Sequence, residues 1–415
     1  MKVIFLNRYF YPDHSATSQM LSDLAFFLAG AGYEVCVIAS ARRYEEAGDV
    51  LEAQERISGV EVHRVRATRF GRGTVFGQVL GYASFYLAAG WRLWRIARAG
   101  DVIVAKTDPP LISVVAAFVA RRRRARLVNW IQDVFPEVAV AVGVRALAQP
   151  QLMLLRWLRD AALRSAAANV VLGDRMADVI RRAERPGSGS GSGSGSGPAE
   201  RLQVIPNWAD MEAIRPVAAA DNPLRREWGV EGKFVVCYSG NMGRAHEFHT
   251  ILDAADHLMG KGVAIAFVFI GGGTQRRMVE DEVRRRGLGN VQFRPYQDRA
   301  GLSYSLGVGD AHLVSQRPEV EGYVFPSKFY GILAAGRPVV FVGDVHGEMG
   351  VLVEREAIGV AVRQGDAAGL VEQLRRLSDD PACRNAMGIR ARGLLCRRYD
   401  KNFAFTSWRA LLQGL

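Results

Sequence analysis

Runs of consecutive apolar residues recur along this chain, most of them separated by stretches with helical spacing. KVIFLN opens the series, and between Thr17 and Ala29 the residues Leu21, Leu24, Ala25 and Leu28 follow at i, i+3, i+4 and i+7, the stripe of a helix that buries one face. YEVCVIAS, VEVHRV, DVIVAK, ARLVNWI and ANVVLG continue the strand pattern. Strands that are apolar throughout, rather than alternating, are covered on both faces, and helices between them make the sheet parallel. The first part of the chain is therefore expected to be a doubly wound α/β domain, residues 1–185.

GSGSGSGSGSG follows, Gly187 to Gly197. Such a run has nothing to bury and behaves as a flexible coil. Its strict alternation reads as an engineered linker, 186–198. The strand and helix pattern then restarts with LQVIPN and continues through KFVVCYSGN, IAFVFIGGG, VQFRPY, DAHLVS, RPVVFVG and GVAV, with helices such as Glu247 to Met259 and Thr274 to Arg286. A second doubly wound domain is expected over 199–390. The last segment, 391–415, reads as a helix with Tyr399, Phe403, Phe405, Trp408 and Leu412 as apolar anchors.

Composition changes this picture little: 49% hydrophobic and 23% charged residues are ordinary for a globular chain of 415 residues. Four cysteines without CxxC spacing, and an amino terminus that opens on a strand rather than a secretory layout, predict a reducing cytoplasm. Charge is more informative. The net value is +12, with Arg64, Arg66, Arg69 and Arg72, then Arg92, Arg95 and Arg98, then Arg121 to Arg124 concentrated in the first half. Between the first two clusters lies an uncharged aromatic stretch, Thr74 to Trp91, diluted by Gly77, Gln78, Gly81, Ser84 and Gly90. It reads as a helix part core and part interfacial, the pattern of a protein that touches anionic lipid without crossing it.

Four stretches carry candidate chemistry. In YFYPDHSATSQ a strand leads through a polar loop into a helix, so Ser15 and Thr17 stand where a helix N-terminus can receive an anion or hydroxyls; they are equally good N-cap types, and His14 beside them is a weak signal. In LVNWIQDVFPE a strand ends at Gln132 and Asp133. That end is the ligand side of such a sheet, where Asp133 can orient or deprotonate a hydroxyl and Glu137 can either assist or cap the next turn. In CYSGNMGRAHEFHT, Gly240, Asn241 and Gly243 let backbone amides approach phosphate oxygens, and Arg244 adds a planar donor. His246 and His249 lack the spacing of a helical metal pair, and no metal is expected. Gly272 in FIGGG is a similar but plainer turn.

The fourth stretch is FPSKFYGILAAGRPVV. Pro326 suits the first turn of a helix, yet Lys328 puts a cation where the macrodipole is already positive. A diphosphate on that helix start, touching Ser327 and Lys328, resolves the conflict.

Taken with VIPNWAD, FIGGG, WIQDVFPE and the N-terminal FYPDHSATSQMLSDLAFFLAGAGYEVCVI, these motifs resemble glycosyltransferase family 4, closest to the bacterial branch that builds capsule, colanic acid and O-antigen repeats. The resemblance spans nearly the whole chain outside the Gly-Ser run. It implies the α/β GT-B fold: two Rossmann-like doubly wound parallel-sheet domains, a deep interdomain cleft, and a C-terminal helix crossing back to the first domain. It implies a retaining, metal-independent transfer of a sugar from a nucleotide diphosphate sugar, UDP-sugar (UDP-GlcNAc type) ahead of GDP-sugar, to a polyprenyl-diphosphate-linked saccharide. No cofactor is expected beyond that substrate, and no nucleic acid partner. The chain would work in the cytoplasm, peripheral to the inner face of the inner membrane through its basic, aromatic first domain. The donor set is then Gly240, Asn241, Arg244, Gly272, Tyr296, Glu321, Pro326, Ser327 and Lys328, and the acceptor set Ser15, Thr17, Asp133 and Glu137. Asp133, Arg244 and Lys328 are the catalytic candidates.

The chain departs from the family in places. Where many members carry two Glu eight residues apart it has Tyr323 and Gly331, so the ribose partner is open, with Glu321 or backbone groups as substitutes. Where members often have Arg and Lys after the strand turn it has Asn241 and Glu247, and Gln132 stands at the position of a familiar histidine. Two other readings compete: a UDP-sugar 2-epimerase of the same architecture, and a non-catalytic basic protein that binds membrane or nucleic acid.

Overall fold

The structure, a computed structural model, describes residues 1–13, 15–42, 51–66, 68, 75–144, 149–184 and 201–415. The Gly-Ser run and His14 lie outside the described residues. The chain forms two compact units: Met1–Pro206 with Gly322–Phe325 and Phe405–Leu415, and Asn207–Glu321 with Pro326–Ala404.

The first unit is built on an eight-stranded sheet of β1 (Lys2–Leu6), β2 (Glu34–Ser40), β3 (Gln54–Ile57), β4 (Val60–Val65), β5 (Val102–Lys106), β6 (Arg126–Trp130), β7 (Ala168–Val171) and β8 (Leu202–Val204), in the order β3-β4-β2-β1-β5-β6-β7-β8. All neighbours are parallel except β3 and β4. That hairpin was not expected, although its signal is in the sequence. Ser58 and Gly59 both adopt positive φ, 47° and 83°, as a two-residue hairpin turn requires.

A second difference concerns LQVIPN, expected to open the second domain. Leu202 pairs with Asn169 in parallel, which makes β8 the edge of the first sheet. Arg201 anchors it by donating to the carbonyls of Arg164 and Ala166. A strand of three residues carries no local mark of the sheet it will join.

Helices Val75–Ile96 and Ile112–Arg123 cover one face of this sheet, burying Phe85, Ala89, Leu93, Ala116 and Val119 against Ile4, Ile38 and Ile103. Gly90 lets them close up, since a Cβ there would lie 2.8 Å from Val115 Cγ1. Among the described residues no helix is long and apolar enough to cross a membrane. The last helix, Lys401–Gln413, brings Phe405 to stack on Phe27, ring centres 4.5 Å apart, and Trp408 to Trp130, 4.8 Å apart.

The second unit carries a six-stranded, wholly parallel sheet of β9 (Phe234–Ser239), β10 (Ile265–Ile270), β11 (Val291–Arg294), β12 (Ala311–Ser315), β13 (Val339–Gly343) and β14 (Gly359–Arg363), ordered β11-β10-β9-β12-β13-β14. Its four inner strands, β10, β9, β12 and β13, are buried on both faces, as their largely apolar runs require. In each sheet the chain winds away from a central strand and then resumes on its other side. The crossing points lie between β1 and β5 and between β9 and β12. The carboxyl ends of those strands are where open sheets of this kind take ligands.

Candidate functional site

In the second unit, two glycine turns are stitched together at the carboxyl ends of β9 and β10. Gly240, Gly271 and Gly273 have φ of 135°, 125° and 125°. A Cβ on Gly271 would sit 2.3 Å from the Gly240 carbonyl oxygen, so only glycine allows this approach. The Gly240 and Met242 amides donate to the carbonyls of Ile270 and Gly272 at 2.9 and 2.7 Å. The Gln275 side chain donates to the carbonyls of Gly243 and His246. Tyr296 covers the second turn, its ring 3.1 Å from where a Gly272 Cβ would be.

Lys328 reaches this turn from the start of helix Lys328–Ala334. Its stem passes Gly240, where a Cβ would stand 3.4 Å from Lys328 Cε. Its amine lies 4.6 Å from the Tyr238 ring centre and 3.1 Å from His246 Nε2. Enclosure by protein lowers the amine to about 7. Burial, reinforced by the Lys328 charge, brings His246 down to about 3, against a hydrogen bond to Ser315 that works the other way. At neutral pH the imidazole is uncharged, and Lys328 can gain or lose its proton.

The other expected donor residues divide. Asn241, Arg244 and Ser327 are exposed, and Pro326 is buried. Ser327 makes no side-chain cap bond. Glu321 accepts the Glu348 amide at 2.7 Å, so one oxygen holds the start of helix Glu348–Arg355. Glu247 likewise accepts the Thr250 amide, at 3.0 Å, and caps helix His249–Gly260. At Gly331 a Cβ would meet Leu306 at an ordinary 3.5 Å.

In the first unit the crossing point gathers a charged cluster that sequence reasoning only partly identified. Asp133 is exposed on one side, yet the protein around it raises its carboxyl to about 6, opposed by the charge of Lys106. Asp108 is raised to about 6 by burial and by Asp133, against Arg8 and Lys106. Lys106 itself is buried, donates to the Thr17 carbonyl at 2.9 Å and sits 3.8 Å from the Trp130 ring centre. Burial drives its amine well below the ordinary range. The missed signal is VAKTDPP, where an apolar strand ends in a Lys and an Asp on the ligand side of the sheet.

Ser15 occupies the N-cap of helix Ala16–Gly30 without a side-chain cap bond, its amide donating to Asp13 at 2.8 Å. Thr17 enters through its carbonyl. Glu137 is taken up by Arg156 and Arg159, at 3.1 and 2.5 Å, which ties helix Gln149–Ser165 to the start of the short helix Glu137–Ala141.

Among the described residues one trio has metal-ligating atoms together: Cys36, Glu61 and His63, all within 4.8 Å. It lies on β2 and β4, where Lys2 and Arg92 bear on both Cys36 and His63 and Arg92 helps hold His63 uncharged. A dication there would face two fixed cations.

Residues 221–394 match the family model for glycosyl transferases group 1, and residues 16–208 that for the glycosyl transferase 4-like domain. The chain is 27% identical over 385 residues, 91% of its length and 92% of the relative's, to the Escherichia coli K12 protein named "Putative colanic acid biosynthesis glycosyl transferase WcaI". It is 27% identical over 78% of its length, and 77% of the relative's, to the probable glycosyltransferase WbjE of Pseudomonas aeruginosa. Among solved structures, Anabaena Alr3699/HepE in complex with UDP-glucose superposes with a TM-score of 0.72 and 18% identity, all of both chains covered.

Proposed function

This chain belongs to the group 1 and 4-like glycosyl transferases, with their GT-B fold, and on that premise we propose that it transfers a sugar from a nucleotide diphosphate sugar, UDP-sugar ahead of GDP-sugar, to a polyprenyl-diphosphate-linked saccharide. The observation that carries the donor reading is the Lys328 amine at the Gly240 turn. As the sugar–phosphate bond breaks, negative charge grows on the diphosphate. Fixed donors aimed at that charge lower the barrier most where water is excluded. Lys328 supplies such a donor without a metal ion, and exposed Arg244 stands just past the same turn. A UDP-glucose complex of a structural relative favours UDP.

The acceptor is received on the first unit, where Asp133 takes the proton of the attacking hydroxyl. A carboxyl near 6 is half ionised just below neutrality and still basic enough for the work. Retention at the anomeric carbon follows the family resemblance.

The lipid-linked acceptor and a membrane-surface location are supported by one face of the first unit. Leu87 and Trp91 are 77% and 66% exposed one turn apart on helix Val75–Ile96. Met153 and Trp157, 68% and 60% exposed, repeat that spacing on helix Gln149–Ser165. Helix Ile112–Arg123 packs against both and carries exposed Phe118 under Arg122. Arg95, Arg98, Arg121 and Arg124 are exposed on the same helices or just past their ends. Exposed aromatics ringed by arginine suit an anionic bilayer surface.

A thermal-shift panel of nucleotide sugars, with and without a polyprenyl-diphosphate saccharide, tests this. Stabilisation by a UDP-sugar and acceptor-dependent release of UDP are expected. No response to any UDP- or GDP-sugar defeats the reading, and turnover of donor alone turns it toward an epimerase.

A further inference from the structure

The glycosyl-transfer reading makes no use of His246, yet its geometry is specific. Nδ1 lies 2.5 Å from the Ser315 carbonyl oxygen, and a carbonyl only accepts, so Nδ1 carries the proton. Nε2 is then an acceptor, and the atom facing it at 3.1 Å is Lys328 Nζ, a donor. The ring is set edge-on to Tyr238 and Phe248, at 5.9 and 6.4 Å between centres. The His246 carbonyl is held at 3.1 Å by Gln275. A single line of hydrogen bonds thus runs from the backbone of β12 through the imidazole to the amine.

We propose that His246 is the positioning residue for Lys328: by accepting one N–H it fixes the amine beside the Gly240 turn and leaves the other donors for the diphosphate. The use of those donors rests on the donor reading above; the positioning does not. A lysine stem left free samples many rotamers, and a cation at a helix start is pushed outward by the helix field. An acceptor anchored to a central strand counters both. The imidazole performs this only while neutral, because a protonated ring would repel the amine and lose its acceptor.

The test uses the full chain and three measurements. In the wild type, nitrogen NMR of the histidine rings at pH 7 should show His246 protonated at Nδ1 and bare at Nε2; an Nε2–H tautomer or an imidazolium overturns the proposal. Next, the rate of Lys328 acylation against pH, read by mass spectrometry without any donor present, gives the amine's own titration. His246→Phe should move that titration by about half a unit or more. His246→Gln, which keeps an acceptor oxygen and an N–H, should move it less than half as far. Finally, kcat/KM for the nucleotide sugar should fall about tenfold or more in His246→Phe and be largely restored in His246→Gln. Unchanged Lys328 labelling in His246→Phe, or equal losses in both variants, overturns the proposal. Altered labelling in a protein that binds no nucleotide sugar supports the positioning and defeats the donor reading alone.

Discussion

The side-chain nitrogen of Lys106 sits 3.8 Å from the centre of the Trp130 ring, and both side chains are buried. A lysine in such a place is costly, since desolvation opposes its charge and the ring quadrupole and the Thr17 carbonyl return only part of it. Its folded pKa lies below the unfolded value. Between those two values the unfolded chain binds more protons, so stability rises with pH up to the ordinary lysine value of ~10.4. Lys106→Met keeps the stem and removes the head. It should abolish that slope in urea titrations from neutral to alkaline pH and leave stability at pH 7 equal or higher. Transfer activity should drop about tenfold or more, as for a group kept at a stability cost.

As the proposed base, Asp133 should set the acid side of the pH profile. With its carboxyl at about 6, kcat/KM should rise as pH climbs through that value and the base ionises. Asp133→Asn should lower the rate by about 100-fold or more and remove the limb. Stability moves the other way. The folded state holds an extra proton between the ordinary carboxyl value and about 6, so this carboxyl's contribution is present at low pH and lost through that window. Denaturation midpoints of wild type and Asp133→Asn at pH 4 and 7 check the sign.

As the proposed diphosphate partner, Lys328 should set the alkaline limb. Its amine, at about 7, binds a diphosphate best when charged, so kcat/KM for the donor should decline above that pH. Lys328→Ala and Arg244→Ala should each weaken donor binding or turnover about tenfold or more with the fold intact. Lys328→Arg, charged at every accessible pH, should lose the alkaline limb whatever its absolute rate. Near-normal activity of both alanine variants would remove the diphosphate assignment.

The exposed aromatics make a separate prediction. Trp91→Glu with Trp157→Glu should abolish sedimentation with anionic vesicles while thermal stability stays near wild type, because both side chains already face solvent. Binding of the unaltered chain should weaken as salt rises. Retained vesicle binding in the double variant would exclude this face.

The two glycine turns of the proposed donor site were legible as turns: Gly240 and Gly272 were singled out, and the positive φ of Gly240, Gly271 and Gly273 accounts for glycine around them. Lys328 stood out as a cation against the helix field. The partners of Glu137 and Glu321 were not legible for a physical reason: a carboxylate at the carboxyl end of a strand looks the same in sequence whether it faces a ligand, arginines as Glu137 does, or a helix amide as Glu321 does.

The sequence by itself determined the alternation of buried strands and helices, hence two doubly wound units, together with the glycine turns and the charge at the start of one helix. All of these rest on periodicities and backbone preferences that act within a few residues. Only the tertiary structure decided that LQV completes the first sheet, that Lys106 is buried against Trp130, and that His246 meets Lys328 across 82 positions of sequence. Those pairings depend on strand order, and strand order is set by how whole elements pack.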